Sequence, residues 1–279
     1  MKNSILLWSI AFVLTIFTAV YQRMTGPTYP ISGETVIGSE VIKYKLDRTH
    51  GGDGDHPIEI TIEDETICGE LIWKRYKTND EWTSVEMKRK DGKFVASLPN
   101  QPPAGKLVYH ILLQRGDETV TLPKSGEVII RFKGDVPIYF LIPHIIFIFG
   151  AMLLSARTGL EYFNEGKKFK SLTILTVIFV IMGGFIFGPI VQKYAFGAFW
   201  TGFPFGHDLT DNKILIGFIG WLVALIALYK FQNPKRWIVF ASILMFIIFL
   251  IPHSLLGSEL DYNEIDSKAD INTETLIEE

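Results

Sequence analysis

Five stretches of this chain contain no Asp, Glu, Lys or Arg: Ser4–Val20, Val136–Ala156, Ser171–Val191, Ile214–Tyr229 and Trp237–Gly257. Each is 16–21 residues long, close to the roughly 20 that carry a helix across a hydrocarbon core. Inside lipid every backbone polar group needs an internal partner, and a helix supplies one residue by residue. The pattern therefore predicts five transmembrane helices. Between the first and second runs lie 110 polar residues, 26–135, enough for one small domain. The expected organisation is an N-terminal anchor (1–25), an external domain (26–135), a four-helix transmembrane domain (136–257) with an external aromatic loop (192–212), and an acidic disordered tail (258–279). No small-x-small cleavage site precedes Tyr21-Gln22-Arg23, so the first run reads as an uncleaved anchor rather than a signal peptide.

Orientation follows from the basic residues, which favour the cytoplasmic side. Lys2 precedes the first run; Arg157, Lys167, Lys168 and Lys170 lie between the second and third; Lys230, Lys235 and Arg236 lie between the fourth and fifth. The opposite face has only Lys193 and Lys213 in its short loop. This predicts a cytoplasmic N-terminus, with the domain 26–135, the loop 192–212 and the C-terminus outside. From Glu259 onward the chain carries eight acidic residues and one lysine, the composition of a solvated end. The net charge of −3 averages two unlike parts and decides nothing.

Residues 26–135 alternate apolar and polar side chains at period two in "VIKYKL", "IEITIED", "CGELIWKRYK", "WTSVEMKRK", "KFVASLP", "KLVYHILLQ", "ETVTLP" and "EVIIRFK". Turn signals separate them, among them Gly51-Gly52-Asp53-Gly54, Asp91-Gly92 and Pro102-Pro103-Ala104-Gly105. Seven or eight short strands in this length predict a β-sandwich. Cys68, the single cysteine, reads as a small core residue, and Trp82 as a core ring.

The segment from Gly69 to Glu118 resembles fibronectin-III/immunoglobulin-like modules of bacterial surface proteins. The likeness lies in Trp82-Thr83-Ser84-Val85-Glu86-Met87, in Gly92–Pro99 and in Pro103–Tyr109. The whole chain is also similar to uncharacterised bacterial multi-pass inner-membrane proteins, through "TGPTYP" (Thr25–Pro30), "LPNQPPAGKLVY" (Leu98–Tyr109) and "GPIVQKYAFGAFWTGFPFGHDLTDNK" (Gly188–Lys213). The first resemblance implies an immunoglobulin-like sandwich that binds or spaces; the second implies topology and no chemistry.

For function, the repeat Leu141-Ile142-Pro143-His144 and Leu250-Ile251-Pro252-His253 stands out. An ionisable group at membrane depth is costly and marks a partner or a cavity. By topology His144, His253 and His207 approach one face of the membrane. Three readings are open. Each histidine satisfies a neighbouring helix or water; or His144 and His253 bind a cofactor, with His144, His207, Asp208 and His253 as candidate ligands of a transition metal or haem iron. A proton-relay or quinone-contact role is a third. The loop Gln192–Lys213, with six aromatic residues, is either an interfacial segment or a lid, and Asp211 or Asn212 is a candidate helix cap. His50, Asp53, Asp55 and His56 form a weaker metal candidate on a glycine-rich loop. No H-E-x-x-H, Walker loop, C-x-x-C-H or nucleophile elbow is present. The basic runs Lys74–Lys77 and Lys88–Lys90 read as solvated strand faces, with no nucleic-acid partner. The expected function is a non-enzymatic envelope membrane protein that contacts the lipid bilayer and an envelope protein or polymer. The alternative is a redox or metal-handling membrane protein.

Overall fold

The computed structural model describes residues 2–267, and the chain divides into two units. One comprises residues 2–27 and 136–258 and is helical. The other comprises residues 28–135 and the segment 259–267 and is built on β-strands.

The helical unit begins with α1 (Lys2–Met24), followed by α2 (Ile138–Leu160). Next come α3 (Phe169–Val180), a π-helical segment (Ile181–Phe187) and α4 (Gly188–Phe196), which run on as one 28-residue helix. Last are α5 (Leu209–Lys230) and α6 (Pro234–Leu250). Among the described residues, four helices are long and apolar enough to cross a membrane: Ser4–Met24, Ile138–Asn164, Phe169–Phe196 and Leu209–Lys230. α6 is also apolar but has 17 residues, because the expected run to Gly257 ends early. After Leu250 the chain leaves the helix, with Ile251 extended and Pro252 unable to donate to the preceding turn. Large apolar side chains cover the outside, among them Phe12 on α1, Ile146 on α2, Ile219 on α5 and Phe240 on α6. The interior is packed around Met152, Val180, Trp221, Ala224, Ile238 and Met245.

Gly183, in the π-helical segment, packs directly on the backbone of α2. A Cβ there would lie 2.8 Å from the Ile148 nitrogen and 3.1 Å from the Phe147 carbonyl carbon. Only a hydrogen lets the two backbones approach so closely.

In the β unit, β1 (Ile31–Ile37) pairs with β2 (Glu40–Leu46) antiparallel. β4 (His56–Thr61) pairs with β8 (Lys93–Leu98), which pairs with β7 (Lys88–Lys90). The largest sheet has the order β3 (Thr49–Gly51), β11 (Val128–Lys133), β9 (Lys106–Arg115), β5 (Cys68–Arg75), β6 (Thr83–Glu86), with β10 (Glu118–Leu122) also on β9. The β3–β11 pair is parallel and the others are antiparallel. All three sheets feed one core, including Ile42, Ile60, Leu71, Leu98, Tyr109, Ile130 and Phe132.

Four expectations for this region need correction. The stretch "WTSVEMKRK" is two strands in different sheets: β6 joins β5, β7 joins β8, and Met87 between them turns into the core while its N–H donates to Gly69 O. Cys68 is exposed, because buried Ile67 and Gly69 set the opposite phase. Trp82 is 39% exposed, its ring edge-on to His110 with Lys74 Nζ 5.0 Å from its centre. The acidic tail does not begin as a disordered end: residues 259–267 lie on the sheet, with a helical turn at 262–267. Charge pairs with Arg75, Lys77 and Lys106 and the burial of Tyr262 hold them there. The rest of the tail, 268–279, lies outside the described residues.

Candidate functional site

The sheet domain carries a basic seat, and residues 259–267 lie on it as a strap. Its two walls are the end of β5 and the turn that leads into β9. Arg75 is the last residue of β5, Tyr76 N–H donates to Lys106 O, and Lys77 takes a positive φ of 61°. The other wall is the turn Pro99–Gly105. It is pinned by Ala104 N–H to Phe132 O at 3.1 Å and by Phe132 N–H to Gly105 O at 2.8 Å. Gly105 is required here: a Cβ would fall 2.8 Å from Tyr262 Oη.

The strap is anchored at three points. Glu259 accepts from Lys77 and, at 2.6 Å, from Lys106 Nζ. Burial pushes the Glu259 carboxyl up, but the hydrogen bonds from Lys106 and Lys77 outweigh it and hold the group below its ordinary value. Tyr262 is 5% exposed; its Oη accepts from Lys106 N–H (3.0 Å) and donates to Gln101 Oε1 (2.9 Å). Burial pushes this phenol up to about 12. Asp266 receives two bonds from Arg75, Nη1 at 2.9 Å and Nη2 at 2.7 Å. Arg75 also forks onto Asp80 through Nε (2.6 Å) and Nη2 (2.9 Å), and its plane lies 5.1 Å from the Tyr262 ring centre. Leu260 N–H to Ala104 O adds a backbone bond. A cavity of about 430 Å³ beside the strap is lined by Tyr76, Lys77, Lys106 and residues 259–263. Burying the Tyr262 ring contributes on the order of 2 kcal/mol; half-exposed ion pairs add little each and weaken with salt.

The residues singled out in the sequence lie elsewhere. His144, on α2 after Pro143, points Nδ1 at Gly183 O, 3.0 Å away. A carbonyl only accepts, so Nδ1 donates in this bond. His253 is exposed in the turn beyond α6, and His207 is exposed before α5. Asp208 caps α5: it accepts from Thr210 N–H (2.7 Å) and also from Ser258 N–H (2.7 Å) and Thr201 Oγ1 (3.2 Å). Asp211, the cap candidate, instead accepts from Thr201 N–H (2.7 Å), Gly202 N–H (3.0 Å) and Gln192 Nε2 (3.0 Å). Asn212 Oδ1 accepts from Phe203 N–H. These bonds fold the aromatic loop against α5, with Trp200 stacked on Phe185 and Phe199, Phe203 and Phe205 exposed. Among the described residues no group of three or more His, Cys, Asp or Glu is arranged to hold a metal ion. In the glycine-rich loop, His50 and His56 meet, Nδ1 to Nδ1, at 3.2 Å, while Asp55 caps Asn100 N–H.

Sequence reasoning missed the seat because it read Lys74–Lys77 and the acidic tail separately. Their opposite charge, with Tyr262 among the acids, was the available signal. It also missed the Arg157–Glu161 pair, both 0% exposed, with Nη1–Oε2 at 2.6 Å. Arg157 counted as a loop cation; the i,i+4 spacing at the end of a span was the clue.

No protein-family model, no curated protein and no solved structure matches this chain.

Proposed function

We propose that this chain is a non-enzymatic bacterial inner-membrane protein with five spans. Its N-terminus is cytoplasmic. Its sheet domain, an immunoglobulin-like sandwich, and its strap are outside and contact an envelope protein partner through the seat described above. The observation that carries this reading is the strap on the sheet. A membrane cannot be crossed an odd number of times between two segments that touch. Four helical passages separate residue 135 from residue 259: α2, α3 to α4, α5 and α6. If the first three span, α6 spans too, and 17 residues lie at the short end of what suffices. Basic links at 167–170 and 230–236 support the orientation.

Reporter fusions after Gly166 and Asn233 are expected to behave as cytoplasmic, and those after Gly126 and at the C-terminus as external. Opposite sides for Gly126 and the C-terminus would overturn the five-span reading. For partner contact, a photo-crosslinking side chain at Tyr76 in living cells is expected to give one dominant envelope-protein adduct, absent from the exposed position Thr119. No adduct at Tyr76 would remove the partner reading.

A redox or metal-binding role for the helical unit is the second reading. It is favoured by the His144 ring, whose Nδ1 is held by the Gly183 carbonyl, the arrangement that orients a metal-ligating imidazole through its other nitrogen. An absorbance band in the haem Soret region, or stoichiometric metal, lost in His144→Ala would establish it.

A further inference from the structure

We propose that the seat on the sheet domain is a peptide-binding site, and that residues 259–267 are its built-in ligand. The ligand class is an acidic segment with a tyrosine, spaced as Glu259, Tyr262 and Asp266: an acid, a tyrosine three residues on, and a second acid four further. A partner segment of this chemistry takes the seat when the strap leaves. The inference rests on reading the sheet domain as a partner-contact module.

Three observations carry it. First, the seat is complementary in charge and shape: Lys77 and Lys106 share the first carboxylate, Gln101 and Lys106 N–H hold the phenol, and Arg75 forks onto the last carboxylate. Bidentate arginine geometry selects a carboxylate by direction as well as by charge. Second, the seat does not depend on the strap. Arg75 is held by its second fork to Asp80, Thr78 Oγ1 donates to Arg75 O, and β5 and β9 pair with each other through eight residue pairs. A site that keeps its shape when empty loses little on refilling. Third, the strap is held mainly by side chains. Its bond to Ala104 is a single contact outside any ladder, so its departure breaks no strand pairing. The cavity alongside, about 430 Å³, leaves room for side chains larger than Asp261 and Asn263.

The test uses the full-length protein in detergent and a fluorescent peptide of residues 257–267 as probe. A variant with Glu259→Ala, Tyr262→Ala and Asp266→Ala opens the seat. It is expected to bind the peptide saturably, at least tenfold more tightly than the unmodified chain, whose seat is filled. Adding Lys106→Glu to the opened variant, or replacing the peptide's tyrosine with alanine, is expected to abolish binding. The inference is overturned if the opened variant keeps its β-sheet circular dichroism and does not bind. Equal binding by the opened and unmodified proteins, or indifference to Lys106→Glu, would overturn it as well. Should Tyr76 still cross-link an envelope protein while the peptide fails to bind, the peptide-site inference falls and the partner reading stands. Peptide binding without any in-cell adduct would have the reverse effect.

Discussion

His56 starts β4 with its ring buried and its Nδ1 3.2 Å from the Nδ1 of His50, whose Nε2 donates to Gly54 O. Burial, and then the neighbouring His50, lower the His56 pKa; Asp47 opposes them. Lys45 and Glu59 line the cavity on its other side. The fold thus favours the neutral ring. An unfolded histidine titrates near ~6.5, so the stability linked to His56 is complete above that pH. It falls as pH drops from there to the lower folded value, and is constant below. The denaturation midpoint of the full-length protein should decline between about pH 7 and pH 5, and His56→Gln should flatten that decline. A slope unchanged by the substitution would refute the assignment. Other single residues were not readable from the sequence. Period two fixes which residues share a face but not which face is inside, and so Cys68 and Trp82 came out on the wetter side.

Among the elements, α2 carries the most costly arrangement. Arg157 and Glu161 are wholly buried, Arg157 has the Trp8 ring of α1 5.5 Å from its carbon, and Glu161 Oε1 accepts from Asn164 and from Lys168 N–H. Beside them Thr158 and Thr176 bring their hydroxyls to 3.2 Å, a polar contact between α2 and α3 at that height. Breaking a buried pair leaves an uncompensated charge, whereas removing both charges does not. Arg157→Met or Glu161→Leu alone should each destabilise the solubilised protein by about 3–5 kcal/mol. The double variant should lose clearly less than the two combined. Additive losses in a denaturation series would mean the pair is not coupled. The helices and most strands were legible, because charge-free runs and period two are dictated by solvent on each side of the chain. What stayed hidden depends on long-range partners. The burial of Thr35 on β1 needed its register with Ile42 on β2 to be seen, and Met87's turn into the core needed β5 and β8 on either side. The strap needed a sheet residue more than 150 positions away to be recognised.

For the molecule as a whole, the strap makes the C-terminal segment part of the domain that begins at Thr28. Its attachment is a matter of ionised carboxylates. Asp266 is held below its ordinary range by the Arg75 hydrogen bonds, and Glu259 by Lys106 and Lys77 against the effect of burial. Groups with lowered folded values stabilise docking fully above their free pKa, near ~4, and lose that contribution as pH falls through the lower folded value. A cysteine pair replacing Gln101 and Tyr262 in a Cys68→Ser background would remove the phenol itself. The cleaner measure is proteolysis at the strap, which should be slow from pH 7 to about 5 and fast near about pH 3, with high salt acting in the same direction. Cleavage equally fast at every pH would mean that charge does not hold the segment. Docking also has an order in time. A ribosome completes Asp135 long before it reaches Glu259; the 123 residues between take on the order of ten seconds to add. Through that interval the cationic seat has no strap to cover it. On the five-span reading proposed above, the last helices are threaded before the chain can close the seat with its own end, so a closed seat would record that every intervening passage has been made.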